Sequence, residues 1–219
     1  MNFIFISPNF PKTYWNFCRC LKQNGVRVLG IGDAPYELLE ENLKQNLQEY
    51  YKVSSLENYE EVYKACAFFA FRYGKIDWIE SNNEYWLMQD AQLRTDFNVI
   101  SGVRNEAISF IKYKSQMKAL YEKAGVRTAR WHLVSQREAG LAFVAQTGYP
   151  VVVKPDNGVG ANATYKLENE AQLHEFYDHL PSVQYIMEEY VPGSIESYDG
   201  IANRERQPIF ETSHVFPRP

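Results

Sequence analysis

The first hundred residues alternate between short apolar runs and stretches in which apolar residues recur at helical spacing. The apolar runs are bounded by turn residues, as is typical of strands. The strands that this pattern predicts cover 2–6, 26–31, 49–53, 76–80 and, as an edge strand, 98–100. The helices that it predicts cover 12–23, 58–73 and 84–97. Because strands joined by helices favour parallel pairing, we expect a small α/β domain with a mainly parallel sheet.

A different order follows a predicted boundary near residues 102–105. One helix or two in sequence are expected at 106–123, and Ser135 with Glu138 forms a capping-box pattern for a helix that ends at Thr147. The remaining predicted strands cover 128–134, 151–155, 164–167, 184–189, 195–203 and 208–212, with a further helix at 169–180. We therefore expect one domain over 1–103 and an α+β region over 104–219. That region divides into a first subdomain to about 185 and the start of a second sheet at 184–219.

The composition is that of an ordinary globular chain, with 45% apolar and 23% charged residues among 219. The formal charge of −4 and the lack of a Lys/Arg cluster argue against nonspecific nucleic-acid binding. No apolar run reaches the length of a membrane span, and the N-terminus lacks the basic segment of a signal peptide. The three cysteines do not make a disulfide framework, so we expect a cytoplasmic protein with free thiols. The sequence does not predict an oligomeric state.

The stretch VVVKPDNGVGANATYKL, residues 151–167, carries the clearest chemistry. A strand ends in Lys154, a loop with Gly158 and Gly160 follows, and a short strand returns. Lysine supplies a compact positive charge, and glycines let backbone N–H groups approach oxygen atoms closely, which suits a polyphosphate. An ordinary hairpin with one exposed lysine is the alternative. Neither G-x-x-x-x-G-K-[ST] nor H-E-x-x-H occurs, which argues against a P-loop NTPase and a zinc protease of that class.

Three motifs in this order and spacing resemble the ATP-grasp superfamily, which includes biotin carboxylase, carbamoyl phosphate synthetase and D-alanine–D-alanine ligase. They are Lys114 in KSQMKALYEKAG, Lys154 in VVVKPDNGVGAN, and the run IMEEYVPG that leads to Glu196. The loop KPDNGVGAN is most similar to members of the carbamoyl phosphate synthetase type. The first hundred residues are similar to the small parallel-sheet domain that precedes the catalytic region. The resemblance thus implies a pre-ATP-grasp α/β domain followed by an incomplete α+β ATP-grasp region.

The resemblance also implies ATP as a ligand and a role for each motif. Lys114 and Lys154 would contact the ATP phosphates, and the loop between the two strands would cover those phosphates. The segment after the later strand would meet adenine with backbone groups, Glu189 would accept hydrogen bonds from the ribose hydroxyls, and Glu196 would lie near the ribose or the metal-bound phosphates. The loop and adenine-side residues that the resemblance implies are Asp156, Asn157, Gly158, Gly160, Met187, Glu188, Glu189, Tyr190 and Val191.

The chain departs from the family pattern at several points. Tyr113 stands where the family often has Asp, and Ala129 where a Pro is common. The family holds Mg²⁺ through acidic residues and an Asn in a later segment, and the sequence ends at Pro219 before any such segment. The resemblance therefore implies an apparently truncated member whose Mg²⁺ ligands lie mostly beyond residue 219. Glu196 and Glu211 alone are a thin set of ligands for this cation, so no metal ligand and no catalytic residue is assigned.

The function that the resemblance implies is ATP-dependent ligation of a small carboxylate to an amine or a thiol, through an acylphosphate intermediate. The missing metal segment favours an alternative, a non-catalytic ATP-binding module or an inactive fragment. A third hypothesis is a plain α/β domain that binds a sugar or an amino acid through its N-terminal sheet. Neither nucleic acid nor a membrane is an expected partner.

Overall fold

The structure, a computed structural model, describes residues 1–158, 163–203 and 205–216. The chain forms two compact units, of which the first contains Met1–Val126 and the segment that begins at Asp156. The second contains Arg127–Pro155 and the segment that begins at Ala163. The domain boundary expected near residue 103 stays a prediction. Within the described residues, no helix is both long and apolar enough to cross a bilayer.

A four-stranded parallel sheet with strand order β3-β2-β1-β4 forms the centre of the first unit. Its strands are β1 (Asn2–Ile6), β2 (Arg27–Gly32), β3 (Glu49–Lys52) and β4 (Trp78–Glu80). The helices of this unit are α1 (Trp15–Gln23), α2 (Glu41–Lys44), α3 (Tyr59–Tyr73), α4 (Leu87–Asp96), α5 (Asn105–Lys112) and α6 (Lys114–Lys123). The prediction of an α/β domain with a mainly parallel sheet is confirmed.

Both faces of this sheet are covered by other parts of the first unit. Ile4 belongs to a core that includes Phe69 of α3, whereas Phe3 and Phe5 belong to a second core with Cys18 of α1. All five residues of β1 are buried. Parallel strands that are buried on both faces carry continuous apolar runs, and this is why the sequence pattern located them.

The prediction of an edge strand at 98–100 is wrong. The chain leaves α4 through Asn98, which has a φ of +50°, and the Val99 N–H donates to the Arg94 carbonyl at 2.8 Å. Val99 is buried in the core, while Ile100 is 71% exposed. The short apolar run therefore forms the turn that ends α4, and it does not pair with a strand. The predicted helical stretch at 106–123 is two helices, because Tyr113 between α5 and α6 has extended angles (φ −99°, ψ 125°).

The second unit contains an antiparallel sheet with strand order β5-β8-β6-β7 and a separate two-stranded antiparallel sheet. The strands are β5 (Trp131–Leu133), β6 (Val151–Pro155), β7 (Tyr165–Leu167), β8 (Tyr185–Glu189), β9 (Ile195–Ala202) and β10 (Pro208–Phe216). The helices are α7 (Arg137–Thr147) and α8 (Glu170–Asp178). The predicted α+β arrangement of short antiparallel strands is confirmed.

The two helices of this unit begin differently. Asn169 caps α8, since its side-chain oxygen accepts from the Gln172 N–H at 3.0 Å. The predicted capping box of Ser135 and Glu138 is wrong, because α7 begins after Gln136, which provides no side-chain cap. The N-cap position lies one residue beyond Ser135, so that serine is outside the helix and Glu138 is not at the third helical position.

Candidate functional site

The strand pairing of the second unit divides the candidate residues between two faces of one sheet. Val151 and Val153 of β6 and Met187 of β8 are buried in the core that also contains residues of α7 and α8. Since side chains alternate along a strand, Lys154 of β6 and Glu188 of β8 lie on the opposite face. Met187, predicted as an adenine-side residue, thus has its side chain in the core.

Lys154 and Glu188 form an ion pair on this second face. The Lys154 ammonium lies 2.6 Å from Oε2 of Glu188, with 27% and 10% of the two side chains exposed. Glu188 pairs with Val152 across the strands, so the carboxylate reaches the lysine diagonally. An ammonium has three N–H donors, and one contact with Glu188 fixes its direction while leaving donors for an anion. The sequence identified both residues but not the contact between them.

Glu189 lies on the face that carries the helices. Its carboxylate accepts from the Arg130 main-chain N–H at 2.8 Å and from the Arg130 side-chain Nε at 2.6 Å. The same guanidinium donates from Nη1 to the Gln146 carbonyl in α7 at 3.0 Å. Glu189 therefore ties the ends of β8 and β5 to a helix, and this geometry does not place its carboxylate beside Lys154. The predicted ribose contact stays a prediction without support from this arrangement.

The backbone after β8 offers one hydrogen-bond donor of the kind expected for recognition of a base. Met187 and Glu188 pair with strands on both sides, and the Tyr190 N–H donates to the Pro150 carbonyl at 3.3 Å. Among the described residues, the Val191 N–H has no backbone hydrogen-bond partner, and Val191 is 64% exposed. Of the N–H groups at 187–191 that could meet adenine, the described contacts thus leave that of Val191.

Glu196 and Glu211 share a face of the β9–β10 sheet but lie far apart. Glu196 pairs with Val215, and Glu211 pairs with Gly200. Four residues separate the two pairs along the strands, a spacing of about 13 Å at about 3.3 Å per residue. Their carboxylates cannot share one cation at that distance. Among the described residues, no group of three His, Cys, Asp or Glu side chains is placed to hold a metal ion.

Lys114 and Asp156 come together in the first unit. The Lys114 ammonium donates to the Gly158 carbonyl at 2.8 Å and to the Asp156 carbonyl at 3.4 Å. The Asp156 carboxylate is buried and accepts from Ser115. Asn157 is exposed, and Gly160, also predicted as a phosphate-loop residue, lies outside the described residues. Sequence reasoning missed Ser115, because its partner is 41 residues away.

Two stretches of the chain, each less than half of its length, are more than 30% identical to a synthase or a ligase. It is 31% identical over 96 residues to the carbamoyl phosphate synthase large chain of Micrococcus luteus, covering 42% of this chain and 9% of that protein. It is 34% identical over 85 residues to D-alanine–D-alanine ligase A of Clostridium perfringens, covering 36% of this chain and 28% of that protein. A comparison with family profiles finds no match.

Solved structures match nearly the whole chain. N5-carboxyaminoimidazole synthetase from Staphylococcus aureus, complexed with ADP, matches with a TM-score of 0.70 and 17% identity, over 99% of this chain and 52% of that one. The biotin carboxylase domain of Hydrogenobacter thermophilus 2-oxoglutarate carboxylase, in complex with MgADP, ADP and bicarbonate, matches with a TM-score of 0.72 and 17% identity, over 89% and 45%. The chain therefore spans about half the length of these structures and shares their fold over that half.

Proposed function

We propose that the chain is a member of the ATP-grasp superfamily that binds ATP and takes part in an ATP-dependent ligation of a carboxylate. The observation that carries the proposal is the position of Lys154. It lies at the end of β6, on the sheet face opposite α7 and α8, and is oriented by Glu188 at 2.6 Å. A partly buried cation of fixed direction stabilises a phosphate more than a mobile surface lysine does.

The Val191 N–H supports recognition of the adenine base. The edge of adenine presents a ring nitrogen that accepts and an amino group that donates, and a main-chain N–H with no backbone partner satisfies the first of these. This donor lies two residues beyond the end of β8, the strand that carries Glu188. We propose Lys154 for a phosphate, Val191 for the base, and Lys114 as a further phosphate contact.

The proposed chemistry is formation and aminolysis of an acylphosphate. A carboxylate oxygen attacks the γ-phosphorus of ATP, the bond to the bridging oxygen breaks, and ADP leaves with that electron pair. An amine or thiol then attacks the acyl carbon, inorganic phosphate leaves, and the nucleophile loses its proton. The protein's part in such a transfer is positioning and neutralisation of phosphate charge, which is the role proposed for Lys154.

Magnesium fits the described residues as a companion of the nucleotide. The described residues contain no three-ligand acidic or histidine cluster, and Glu196 and Glu211 are too far apart to share a cation. Mg²⁺ commonly uses one or two carboxylates together with substrate phosphates. We therefore assign no reaction step to a metal held by these residues, and nucleotide binding is tested with MgATP.

Replacement of Lys154 with Met tests the binding proposal. We expect the MgATP dissociation constant, measured by isothermal titration calorimetry, to rise at least about tenfold, because ~1.4 kcal/mol or more of phosphate contact is lost. Lys64→Met is the matched control, since Lys64 is an exposed residue of α3 whose ammonium lies 3.8 Å from the Glu60 carboxylate. Equal MgATP affinity in wild-type and Lys154→Met protein would refute the assignment.

The ligase part is tested by release of ADP. Purified protein is incubated with MgATP and pairs of small carboxylates and amines or thiols, and ADP is measured by a coupled assay. Release that depends on both substrates and is lost in Lys154→Met supports ligation. MgATP binding without substrate-dependent release of ADP would favour the non-catalytic alternative.

A further inference from the structure

Helix α6 begins without a capping side chain of its own. Tyr113 occupies the N-cap position with extended backbone angles, and it makes no side-chain cap. The first N–H groups of a helix need partners from elsewhere, since no preceding turn accepts from them. At this helix the partner comes from a segment 41 residues later in the sequence.

Asp156 supplies the missing cap with both its carboxylate and its main chain. Its Oδ1 accepts from the Ser115 N–H at 2.7 Å, and its Oδ2 accepts from the Ser115 hydroxyl at 2.7 Å. Its carbonyl accepts from the Lys114 N–H at 3.1 Å. Asp156 is only 5% exposed, and Ser115 only 6%. A carboxylate that is buried and doubly hydrogen-bonded in this way is directed at the helix and not at a ligand.

The same contacts fix the Lys114 ammonium. It donates to the carbonyls of Gly158 and Asp156, at 2.8 and 3.4 Å. Both carbonyls belong to the turn that starts at Asp156, so anchoring the Asp156 carboxylate anchors the acceptors of the amine. One aspartate therefore sets the start of α6, the start of the turn and the direction of Lys114.

We propose that Asp156 is a positioning residue that places Lys114 for contact with a nucleotide phosphate and does not itself contact ATP. The inference rests on the proposed function, and it corrects the role that the resemblance gave to Asp156. An acidic side chain pointed at a polyphosphate would oppose binding more strongly than one that is directed into the N-terminus of α6, where the helix dipole and two hydrogen bonds offset its charge. A charged contact is positioned more precisely for a ligand when neighbouring groups lock its geometry.

A pair of variants separates positioning from helix capping. Asp156→Ala removes the whole carboxylate, and Tyr113→Asp places an acceptor at the N-cap position, where extended angles suit a local cap. In the double variant α6 is capped again, but the turn at Asp156 is no longer tied to Ser115. The single variant Tyr113→Asp is the reference for the double one, and Ser115→Ala is the milder change if Asp156→Ala folds poorly.

We expect Asp156→Ala to lower the melting temperature by about 2–5 °C and the double variant to recover most of this loss. We expect the MgATP dissociation constant to rise about tenfold in both, and severalfold in Ser115→Ala, because Lys114 is misplaced in all three. Recovery of affinity together with stability in the double variant would show that Asp156 only caps the helix, which overturns the inference. Unchanged affinity in Asp156→Ala overturns it as well. A wild-type chain that binds no MgATP overturns the proposed function, and this inference with it.

Discussion

The buried carboxyl group of Asp90 should make the stability of the protein depend on pH. Its side chain is fully buried in the first unit, where Oδ2 accepts from the Ser81 N–H at 3.0 Å and from the Ser81 hydroxyl at 2.6 Å. Burial raises the pKa of Asp90 from 3.8 to about 7, and the nearby Glu80 carboxylate acts in the same direction. The Ser81 hydrogen bonds and the Arg94 guanidinium oppose this shift without cancelling it. The folded protein thus keeps a proton on Asp90 that the unfolded chain has already released.

The direction of the pH dependence follows from the number of protons that the folded and unfolded states bind. Between about pH 4 and pH 7 the folded state binds more protons than the unfolded state, so the free energy of unfolding falls as pH rises through this window. A difference of about 3 pKa units corresponds to a loss of at most ~4 kcal/mol in the free energy of unfolding. This loss is fully present above pH 7 and nearly absent below pH 4. Asp90→Asn removes the titration. It also places an amide where Oδ1 is buried without a hydrogen-bond partner among the described residues, at a cost of about 1–3 kcal/mol that does not vary with pH.

The assay is urea unfolding of wild-type and Asp90→Asn protein at several values from pH 4 to pH 8. Tryptophan fluorescence is a suitable probe of the first unit, because Trp15, Trp78 and Trp86 lie there. We expect the stability of the variant relative to wild type to rise by about 2–4 kcal/mol from the acidic to the basic end. A relative stability that stays constant with pH, or that falls as pH rises, would refute the reasoning.

Two further predictions concern contacts that hold each unit together. Gly102→Ala should destabilise the protein by about 1–3 kcal/mol in urea unfolding, because φ is +85° and a Cβ would lie 2.8 Å from Nε of the buried Arg94. Gly25→Ala, at φ +74° with no neighbour within 4 Å, should cost only about 1 kcal/mol, and an equal cost at both glycines would contradict the steric argument. Glu189→Gln should lower the free energy of unfolding of the second unit by about 0.5–1.5 kcal/mol, since a neutral amide binds Arg130 less strongly, and this loss should shrink in high salt. A loss at Glu189 that is independent of salt would point to packing instead.

The sequence located elements well where burial was continuous and poorly where a single residue decided the geometry. β1 and β6 were recognisable because an unbroken apolar run bounded by turn residues is typical of a buried strand. The run at 98–100 has a similar apolar character, but the positive φ of Asn98 turns the chain at the end of α4. That turn depends on the packing of Val99 in the core, and a pattern of neighbouring residues carries no information about such packing.

The candidate site was also predictable only in part from the sequence. The motif around Lys154 and the two adjacent glutamates stood out in the sequence, yet only the pairing of β6 with β8 assigns Glu188 to the lysine and leaves Glu189 with Arg130. Strands that pair across some 35 positions have no local signal for their register, and a shift of one residue would exchange the two glutamates. The partnership of Ser115 with Asp156 is of the same kind.

The cap that Asp156 gives to α6 also bears on the order in which the chain folds. The first unit includes the segment that begins at Asp156, although Arg127–Pro155 belongs to the second unit. During synthesis, a nascent chain that has passed Val126 holds every strand of the parallel sheet but not the acceptor for the Ser115 N–H. The N-terminus of α6 can therefore be capped only after β6 has been synthesised. Closing this loop of 41 residues is a late, entropically costly step. The proposed phosphate contact at Lys114 is thus positioned only after the chain has been synthesised as far as Gly158, beyond the segment Arg127–Pro155.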